Sequence, residues 1–477
     1  MSHKNETAVL LTSLFLTAIF IAAVAWWVTK PQDKTAVVQN SSDSLLDTTA
    51  ETPLNSISFG EKILVPEEVR GGSPAFKTLK RAGVNDIAAG KYNEAVSQLS
   101  AALRENRNAP ETLIYLNNAQ INLNQQKSYT IAVAAPIGND PNGSLEVLRG
   151  VALAQNEINQ AGGINGVLLK VAIANDNNQE EQAKKIASAL VDNKDVLGVI
   201  GHWASQVTLA VAPIYDDSKL VAISPISTAV SLSGKSPYIF RTVPSDYMAA
   251  RALADYMLTK LQQRKVAVFF NSKSTYSQSL KSEFVTAVGL AGGQVTNEYD
   301  LSNSAFSAAR SVEQAIKQGA EVVMLASNTG ELDKALQVVQ VNRKRLSMLA
   351  GDDVYAIKTL EIGADAALGM VLAVPWDIDG DPTSAFPRQA REVFGSDVNW
   401  RTALAYDAAK ALIAAIQRNP TRTGVQQALA SPDFATKGAS GTIGFLPSGD
   451  RNGTIQLVKI VADKRSPTTY DFVPVPR

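Results

Sequence analysis

From Tyr129 onward, short apolar runs alternate with longer segments in which apolar residues recur at helical spacing. The short runs predict strands over residues 130–135, 168–174, 196–200, 220–223, 265–270, 294–299, 321–326 and 369–374. The longer segments, such as 145–160 and 280–290, predict amphipathic helices between them. This order of strand, helix and strand predicts right-handed crossovers and parallel sheets that are covered on both faces.

Two pairs of glycines divide this region into similar halves. Gly162-Gly163 and Gly292-Gly293 each follow a helical segment and precede a predicted strand. Such positions are typical of left-handed C-caps, which glycine adopts without steric cost. Because about 350 residues is large for a single sheet, we predict two similar α/β lobes with a cleft between them.

The N-terminal region contains a long apolar run over residues 8–28 that carries no charged side chain. A helix of about 20 such residues spans a bilayer, and Trp26 and Trp27 are typical of its interface. Residues 1–30 are therefore predicted to form a retained membrane anchor in a single pass. A secretory signal cleaved after Ala25 is the alternative, and both predict export of the rest of the chain.

Two segments of different character connect this run to the α/β region. Residues 31–74 are rich in Ser, Thr, Asp and Asn and predict a flexible linker. Residues 75–126 predict helices, and the stretch AAGKYNEAVSQLSAAL resembles a tetratricopeptide repeat. Because isolated repeats seldom bury a core alone, we expect this segment to dock on the main domain or on a partner. A plain helical hairpin is the alternative.

The composition excludes several classes of function. The chain of 477 residues has 45 basic and 45 acidic side chains and no cysteine. It therefore lacks the basic excess that grips nucleic acid, and it can form neither a disulfide nor a thiolate metal site. His3 and His202 are the two histidines, and no nucleophile elbow, zinc-protease or nucleotide-binding motif occurs. We predict that the protein is not an enzyme and has no catalytic residue, metal or cofactor.

The candidate ligand-binding residues follow predicted strands, because ligands of open α/β sheets bind beyond the carboxyl ends of the strands. Ser205 opens a helix after one strand, Thr228 follows the next, and Asp352 and Asp353 follow the run at 347–350. A helix N-terminus favours an anion and a carboxylate pairs with a cation, so the set suits a zwitterion. Singly, these side chains are also explained as helix caps or turn residues.

Three other ionisable residues are interpreted as structural. His202 is expected to be a packed strand-end residue with one ring nitrogen hydrogen-bonded. Asp176 and Asp407 are expected to cap helices or to pack within a lobe.

The order of short motifs resembles a known family. The motifs are Gly150-Val151-Ala152, Glu157 to Gly166, Ile200-Gly201-His202, Ile223-Ser224-Pro225, Phe240-Arg241-Thr242 and Gly351-Asp352-Asp353. Together they resemble the type I periplasmic binding proteins of the leucine/isoleucine/valine-binding group. The resemblance implies two Rossmann-like lobes with parallel sheets and a hinge within residues 129–477. It implies that lobe 1 comprises 129–246 and 377–445, and lobe 2 comprises 247–376 and 446–477.

The resemblance also implies roles for individual residues. Ser205 and neighbouring backbone N–H groups would hold a ligand carboxylate. The Ile226 carbonyl and the Thr228 hydroxyl would receive the ammonium. Asp353 would neutralise it, with Asp352 as the alternative if the register shifts by one. The full candidate set is Trp203, Ala204, Ser205, Ile226, Ser227, Thr228, Tyr276, Asn328, Asp352 and Asp353.

The side-chain pocket implied by the resemblance departs from the family pattern. Tyr276 would close over the ligand and Trp203 would line the pocket. Asn328 and Thr329 stand where the family has a tyrosine. A more polar pocket is therefore expected, and a branched aliphatic ligand becomes less favoured.

Three hypotheses for function follow. The first is a membrane-tethered solute-binding protein, with its main domain in the periplasm, that captures an amino acid or similar zwitterion and delivers it to an ABC permease. The second is a non-catalytic interaction protein, since a helical-repeat segment joined to this fold also resembles a bacterial lipoprotein that activates cell-wall synthases. The missing lipid-bearing cysteine weakens that likeness. The third, a sensory input domain, requires a separate output partner.

Overall fold

A computed structural model describes residues 53–68, 71–464 and 466–476. The predicted anchor at 1–30 and the alternative cleavage after Ala25 lie outside these residues. Among the helices that the model describes, none combines the length and the apolar character needed to cross a membrane.

Helices and strands alternate through most of the chain. The helices are α1 (Pro74–Ala88), α2 (Tyr92–Glu105), α3 (Pro110–Leu123), α4 (Pro141–Gln160), α5 (Glu180–Asp192), α6 (Ser205–Asp217), α7 (Asp246–Asp255), α8 (Thr275–Leu290), α9 (Ala308–Lys317), α10 (Leu332–Asn342), α11 (Ile357–Gly363), α12 (Phe386–Phe394), α13 (Trp400–Arg418) and α14 (Arg422–Leu429). The strands are β1 (Ile57–Ser58), β2 (Ser128–Ala135), β3 (Leu168–Asn175), β4 (Val196–Ile200), β5 (Val221–Ser224), β6 (Ile239–Arg241), β7 (Lys265–Phe270), β8 (Gln294–Asp300), β9 (Val322–Ala326), β10 (Ser347–Ala350), β11 (Val371–Val374), β12 (Thr436–Gly438), β13 (Gly441–Ile443), β14 (Gln456–Ala462) and β15 (Tyr470–Pro474).

The first lobe is built on a sheet with the strand order β1-β3-β2-β4-β5-β6. Its neighbouring strands are parallel except for β1, which pairs antiparallel with β3. The strand β4 is buried along its whole length, as expected for a parallel sheet with helices on both faces. The long helix α13 returns to this lobe and packs against α4.

The second lobe is built on a sheet with the strand order β15-β14-β11-β10-β9-β7-β8. The strands β8, β7, β9, β10 and β11 are parallel, while β14 and β15 join antiparallel at one edge. The chain crosses between the lobes after β6, after β11 and after β13. The predicted pair of parallel α/β sheets is therefore present, although the pattern did not predict the short strand β6 or the half-exposed strands β14 and β15.

Three of the four paired glycines have the predicted left-handed conformation. Gly162 and Gly163 have φ values of +91° and +86°, and Gly292 has a φ of +79° after α8. These left-handed conformations stop each helix before the next strand begins.

The segment before the first lobe is docked on it. Helices α1 to α3 pack on one another, and α3 contacts both α4 and β3. The strand β1 extends the sheet, with Ile57 opposite Ala174. The prediction of a flexible linker over 31–74 is therefore wrong for residues 53–68. The reason is tertiary: the Asn118 amide of α3 donates to the carbonyls of Phe59 and Val171, each at 2.8 Å, and ties this segment to β3.

Candidate functional site

The N-terminus of α6 joins two loops of the first lobe. Ser205 is the first residue of α6, directly after the loop that follows β4. Its Oγ accepts a hydrogen bond from the Ala229 N–H at 3.2 Å, so this hydroxyl contacts the loop after β5. Ala204 is the N-cap residue, and its N–H donates to Asn178 Oδ1 at 3.2 Å.

The loop after β5 presents Thr228 and turns Ser227 inward. Ser227 Oγ donates to the Trp203 carbonyl at 2.9 Å and lies 2.8 Å from Thr208 Oγ1, so its hydroxyl serves the internal packing of the lobe. Thr228 is buried, and its Oγ1 has no hydrogen-bond partner among the described residues. The Ser227 hydroxyl therefore stabilises the loop, whereas the Thr228 hydroxyl remains free to donate or accept a hydrogen bond.

His202 connects these loops to the interior of the first lobe. Its Nδ1 lies 2.6 Å from Asp176 Oδ2 and its Nε2 lies 2.9 Å from the Tyr215 hydroxyl. Its carbonyl accepts a hydrogen bond from Ser224 Oγ at 2.7 Å. The predicted packing role is confirmed, but both ring nitrogens have partners where the sequence suggested one.

Asp407 also has the packing role that the sequence predicted. Its carboxylate accepts from the Ala439 N–H at 2.6 Å and pairs with Arg451 at 2.8 Å. These contacts hold the hairpin of β12 and β13 against α13.

The second lobe contributes Tyr276 and Asp352 as a pair. The Tyr276 hydroxyl donates to Asp352 Oδ1 at 2.6 Å, and both side chains are buried. Burial, with the nearby Asp353 and Asp246 carboxyls, raises the pKa of Asp352 to about 7, against the lowering effects of the Tyr276 hydrogen bond and Arg401. Burial likewise raises the pKa of Tyr276 well above its ordinary value, so this hydroxyl remains a donor.

Asp353 is bonded from both lobes. Its Oδ1 lies 3.3 Å from Arg401 Nη2 of α13, and its Oδ2 accepts from the Thr329 N–H at 3.1 Å. Burial raises the pKa of Asp353, and Arg401 opposes that rise. The neighbouring Asn328 directs its Oδ1 to the Asn271 amide at 2.8 Å. The carboxylate expected to meet a ligand ammonium thus already has a cationic partner within the chain.

Asp246 also belongs to this region, although no pattern in the sequence predicts it. It starts α7 at a crossing between the lobes, and its N–H donates to the Thr228 carbonyl at 2.9 Å. Its side chain is buried and its Oδ2 has no partner among the described residues. Burial raises the pKa of Asp246 to about 7, although the nearby hydroxyls of Ser279 and Thr228 and the charge of Arg241 act to lower it. In the sequence, Asp246 has only the signature of a first-turn residue.

Arg401 was also missed, although the sequence held a signal for it. It is the second residue of α13, and a cation at a helix N-terminus opposes the helix dipole. Such a position calls for a compensating acid, which Asp353 supplies.

Several of the candidate residues lie close together at the boundary between the lobes. Ser205 contacts the loop that carries Thr228, and the Thr228 carbonyl accepts from the Asp246 N–H. The Asp246 carboxyl in turn interacts electrostatically with the carboxyls of Asp352 and Asp353. The Val230 N–H, beside this loop, donates to Ser279 Oγ of α8 at 3.1 Å, which joins the two lobes directly. The set has a helix N-terminus at one end and carboxyl groups at the other. No group of His, Asp or Glu suited to a metal ion occurs within the described residues.

Comparison with known proteins identifies relatives of this chain. A model of the periplasmic binding protein family matches residues 131–464. An amino acid binding protein of Pseudomonas aeruginosa is 34% identical over 152 residues, which are 31% of this chain and 40% of that protein. The leucine-, isoleucine-, valine-, threonine-, and alanine-binding protein of the same organism is 26% identical over 307 residues, which are 63% of this chain and 81% of that protein.

Solved structures share the fold. The ABC transporter substrate-binding protein of Desulfitobacterium hafniense, in complex with Leu, has a TM-score of 0.63 at 23% identity, over 73% of this chain and all of that one. A solute binding protein from R. palustris, in complex with 4-hydroxybenzoate, has a TM-score of 0.63 at 16% identity, over 71% of this chain and 94% of that one. At these identities the likeness shows the fold alone. The family model, however, matches well over half of the chain, and the protein therefore belongs to the periplasmic binding protein family.

Proposed function

We propose that this protein is an extracytoplasmic solute-binding protein that captures an amino acid between its lobes and delivers it to an ABC permease. Membership in the family supports a non-enzymatic binding role and an extracytoplasmic location. The similarity to proteins named for amino acid binding supports the class of ligand.

One observation carries the proposal: Thr228 Oγ1 and Asp246 Oδ2 are buried in the region between the lobes and have no partner among the described residues. Unpaired buried polar atoms cost about 1–3 kcal/mol each. A ligand ammonium would satisfy both, and ionisation of Asp246 would compensate its charge.

The carboxylate of the ligand is assigned to the N-terminus of α6. The first N–H groups of α6 lack intrahelical partners, and together with Ser205 they favour a carboxylate. An α-amino acid carries both charged groups on adjacent atoms, so it can bridge α6 and the acidic side chains. We assign the ammonium to Thr228, Asp246 and the Ile226 carbonyl, with Asp352 beside them, and leave Asp353 to Arg401.

Titration calorimetry with the purified chain tests this function. We expect at least one of the twenty common amino acids to bind with a dissociation constant below about 0.1 mM, corresponding to more than about 5.5 kcal/mol of binding free energy. Matched ligands that lack either the amine or the carboxylate should bind far more weakly. If no amino acid binds, or if the deaminated analogue binds equally well, the proposal fails.

Titration calorimetry also tests the contribution of Ser205, the ligand contact proposed in the first lobe. Ser205→Ala should weaken binding by about 1.5–3 kcal/mol, since it removes a hydrogen bond to a charged group. The control is Ser311→Ala in α9, a buried serine of a helix that packs on α10 and β8 of the second lobe, which should leave affinity unchanged.

We further propose that residues 8–28 retain the protein at the membrane beside its permease. The support is the uncharged apolar run itself, whose length matches a hydrocarbon core of about 30 Å.

A further inference from the structure

Arg401 lies where the predicted side-chain pocket of the site would be. Its guanidinium carbon is 4.3 Å from the ring centre of Trp400 and 5.5 Å from that of Trp203. Trp203 precedes the N-terminus of α6, so the guanidinium is placed beside the residue expected to line the ligand's side chain. Arg401 is 6% exposed, which makes it part of the interior of the site.

The guanidinium uses only part of its hydrogen-bonding capacity. Nη1 donates to the Tyr355 carbonyl at 3.1 Å and Nη2 lies 3.3 Å from Asp353 Oδ1. The second distance is longer than the 2.7–2.9 Å or so of a strong charge-assisted bond. A guanidinium has five N–H groups, and the remaining ones meet no acceptor among the described residues. Both tryptophan rings restrict where it can turn, so these donors are available to an acceptor from a ligand.

The surrounding charge decides which acceptor fits. Asp353 already compensates Arg401, and Asp140 contributes further negative potential at Asp353. A carboxylate on the ligand's side chain would be repelled by these acids. An aliphatic side chain would leave the N–H groups of Arg401 unpaired. A neutral carbonyl oxygen satisfies the donors and adds no charge.

Building on the proposed function, we infer that Arg401 determines specificity and selects an amino acid whose side chain ends in a carboxamide. The α-carboxylate and α-ammonium remain on α6 and on Asp246. The side-chain carbonyl accepts from Arg401 in the space beside Trp203. This preference differs from that expected of an apolar pocket, and it rests on one arginine.

The experiment compares glutamine, asparagine, glutamate and leucine by titration calorimetry on the full chain and on two variants. The wild type should bind either glutamine or asparagine at least about tenfold tighter than it binds leucine or glutamate. The reason is that a site built to hydrogen-bond a polar group discriminates strongly against analogues that lack that group. Arg401→Met should lose this preference and gain affinity for leucine. Arg401→Lys keeps a cation beside Asp353 but lacks the planar fork, and should retain only part of the preference.

Each outcome separates the two proposals. If leucine or glutamate binds the wild type tighter than both carboxamides, Arg401 does not select the ligand, although the protein still binds amino acids. If Arg401→Met weakens all four ligands by the same factor, its role is structural and the inference is overturned. If none of the twenty common amino acids binds the wild type, the proposed function fails first. Thermal unfolding of each variant shows whether it is folded.

Discussion

At the scale of single residues, two buried polar atoms at the boundary between the lobes have no partner among the described residues, Thr228 Oγ1 and Asp246 Oδ2. Thr228 and Thr242 make a useful contrast. Both are buried, but Thr242 Oγ1 donates to the Leu404 carbonyl at 2.8 Å whereas Thr228 Oγ1 has no partner among the described residues. A polar group kept unpaired in a folded protein is a cost to stability that a ligand can recover.

Thr228→Val is expected to weaken amino acid binding by about 1.5–3 kcal/mol while leaving the ligand-free protein as stable as before or more stable. The reason is that valine removes an unpaired hydroxyl without changing the shape of the side chain. Calorimetry measures the affinity and thermal unfolding measures the stability. Thr242→Val is the control and should do the reverse, reducing stability while affinity is kept. Equal loss of stability in both variants, with binding intact, would contradict the prediction.

The carboxyls of Asp246 and Asp352 should make binding depend on pH. Their pKa values are raised from 3.8 to about 7, so between these values the folded state holds protons that the unfolded chain has lost, and stability falls as pH rises. A ligand ammonium favours the ionised carboxylate, so affinity should rise with pH by about tenfold from pH 6 to pH 8.

Calorimetry in buffers with different ionisation enthalpies measures both the affinity and the protons released on binding. Asp246→Asn should reduce the proton release and flatten the rise, because it removes one titrating group. The exposed Asp381→Asn variant is the control and should behave as the wild type does. An affinity independent of pH across this range would show that neither carboxyl pairs with the ligand.

At the scale of elements, a buried ionic cluster holds the helical segment together. Lys80 of α1 lies 3.0 Å from Glu68 Oε1 and 2.5 Å from Glu111 Oε2 of α3, and all three side chains are fully buried. Glu111 Oε1 in turn accepts from the N–H groups of Leu64 and Val65, at 2.8 and 3.0 Å. The cluster therefore ties α1 and α3 to the segment that carries β1.

Lys80→Met should lower the free energy of unfolding by about 3–5 kcal/mol, because it leaves two buried carboxyls without a cation. Lys77→Met is the control, since Lys77 is 40% exposed and its pair with Glu67 is worth at most about 1 kcal/mol. Urea denaturation of both variants provides the comparison. Similar losses in the two variants would mean that the cluster does not hold the segment. Adding Glu68→Gln and Glu111→Gln to Lys80→Met should restore part of the loss.

At the scale of the whole molecule, three chain crossings connect two lobes that meet across the site. Val230 and Ser279 bond across the gap, and Arg401 of the first lobe pairs with Asp353 of the second. Hinged lobes of this kind shift between open and closed states according to how strongly a ligand bonds to each. The residues that bind the ligand in the proposal therefore also determine how the lobes meet.

Removal of residues 1–50 should move the protein from the membrane to the soluble fraction and leave its amino acid affinity unchanged. The reason is that the apolar run at 8–28 is deleted while every described residue of the site is kept. Fractionation with a carbonate wash tests the location, and calorimetry tests the affinity. If the unmodified gene instead yields a soluble product that begins at Trp26, cleavage after Ala25 is established.

The sequence by itself determined the alternation of strands and helices, because a strand buried on both faces must be continuously apolar and a helix must repeat every 3.6 residues. It also located Ser205, Thr228 and the two aspartates at strand ends, since parallel strands place their carboxyl ends on one edge. The strand β6, with three residues, is too short for this signal, whereas β14 has five apolar residues among its seven and does carry it.

The tertiary structure alone decided which polar atoms meet. Ser227 and Thr228 are adjacent hydroxyl residues, and only packing shows that one is bonded inward and the other is unpaired. Asp246 and Arg401 come from distant parts of the chain, and their neighbours depend on how the lobes approach. The composition of residues 53–68 is typical of a polar linker. The segment nevertheless docks on the first lobe, because α3 and the edge of β3 provide hydrogen bonds that cannot be predicted from the local sequence. Local periodicity fixes elements, whereas pairing between distant groups requires the folded chain.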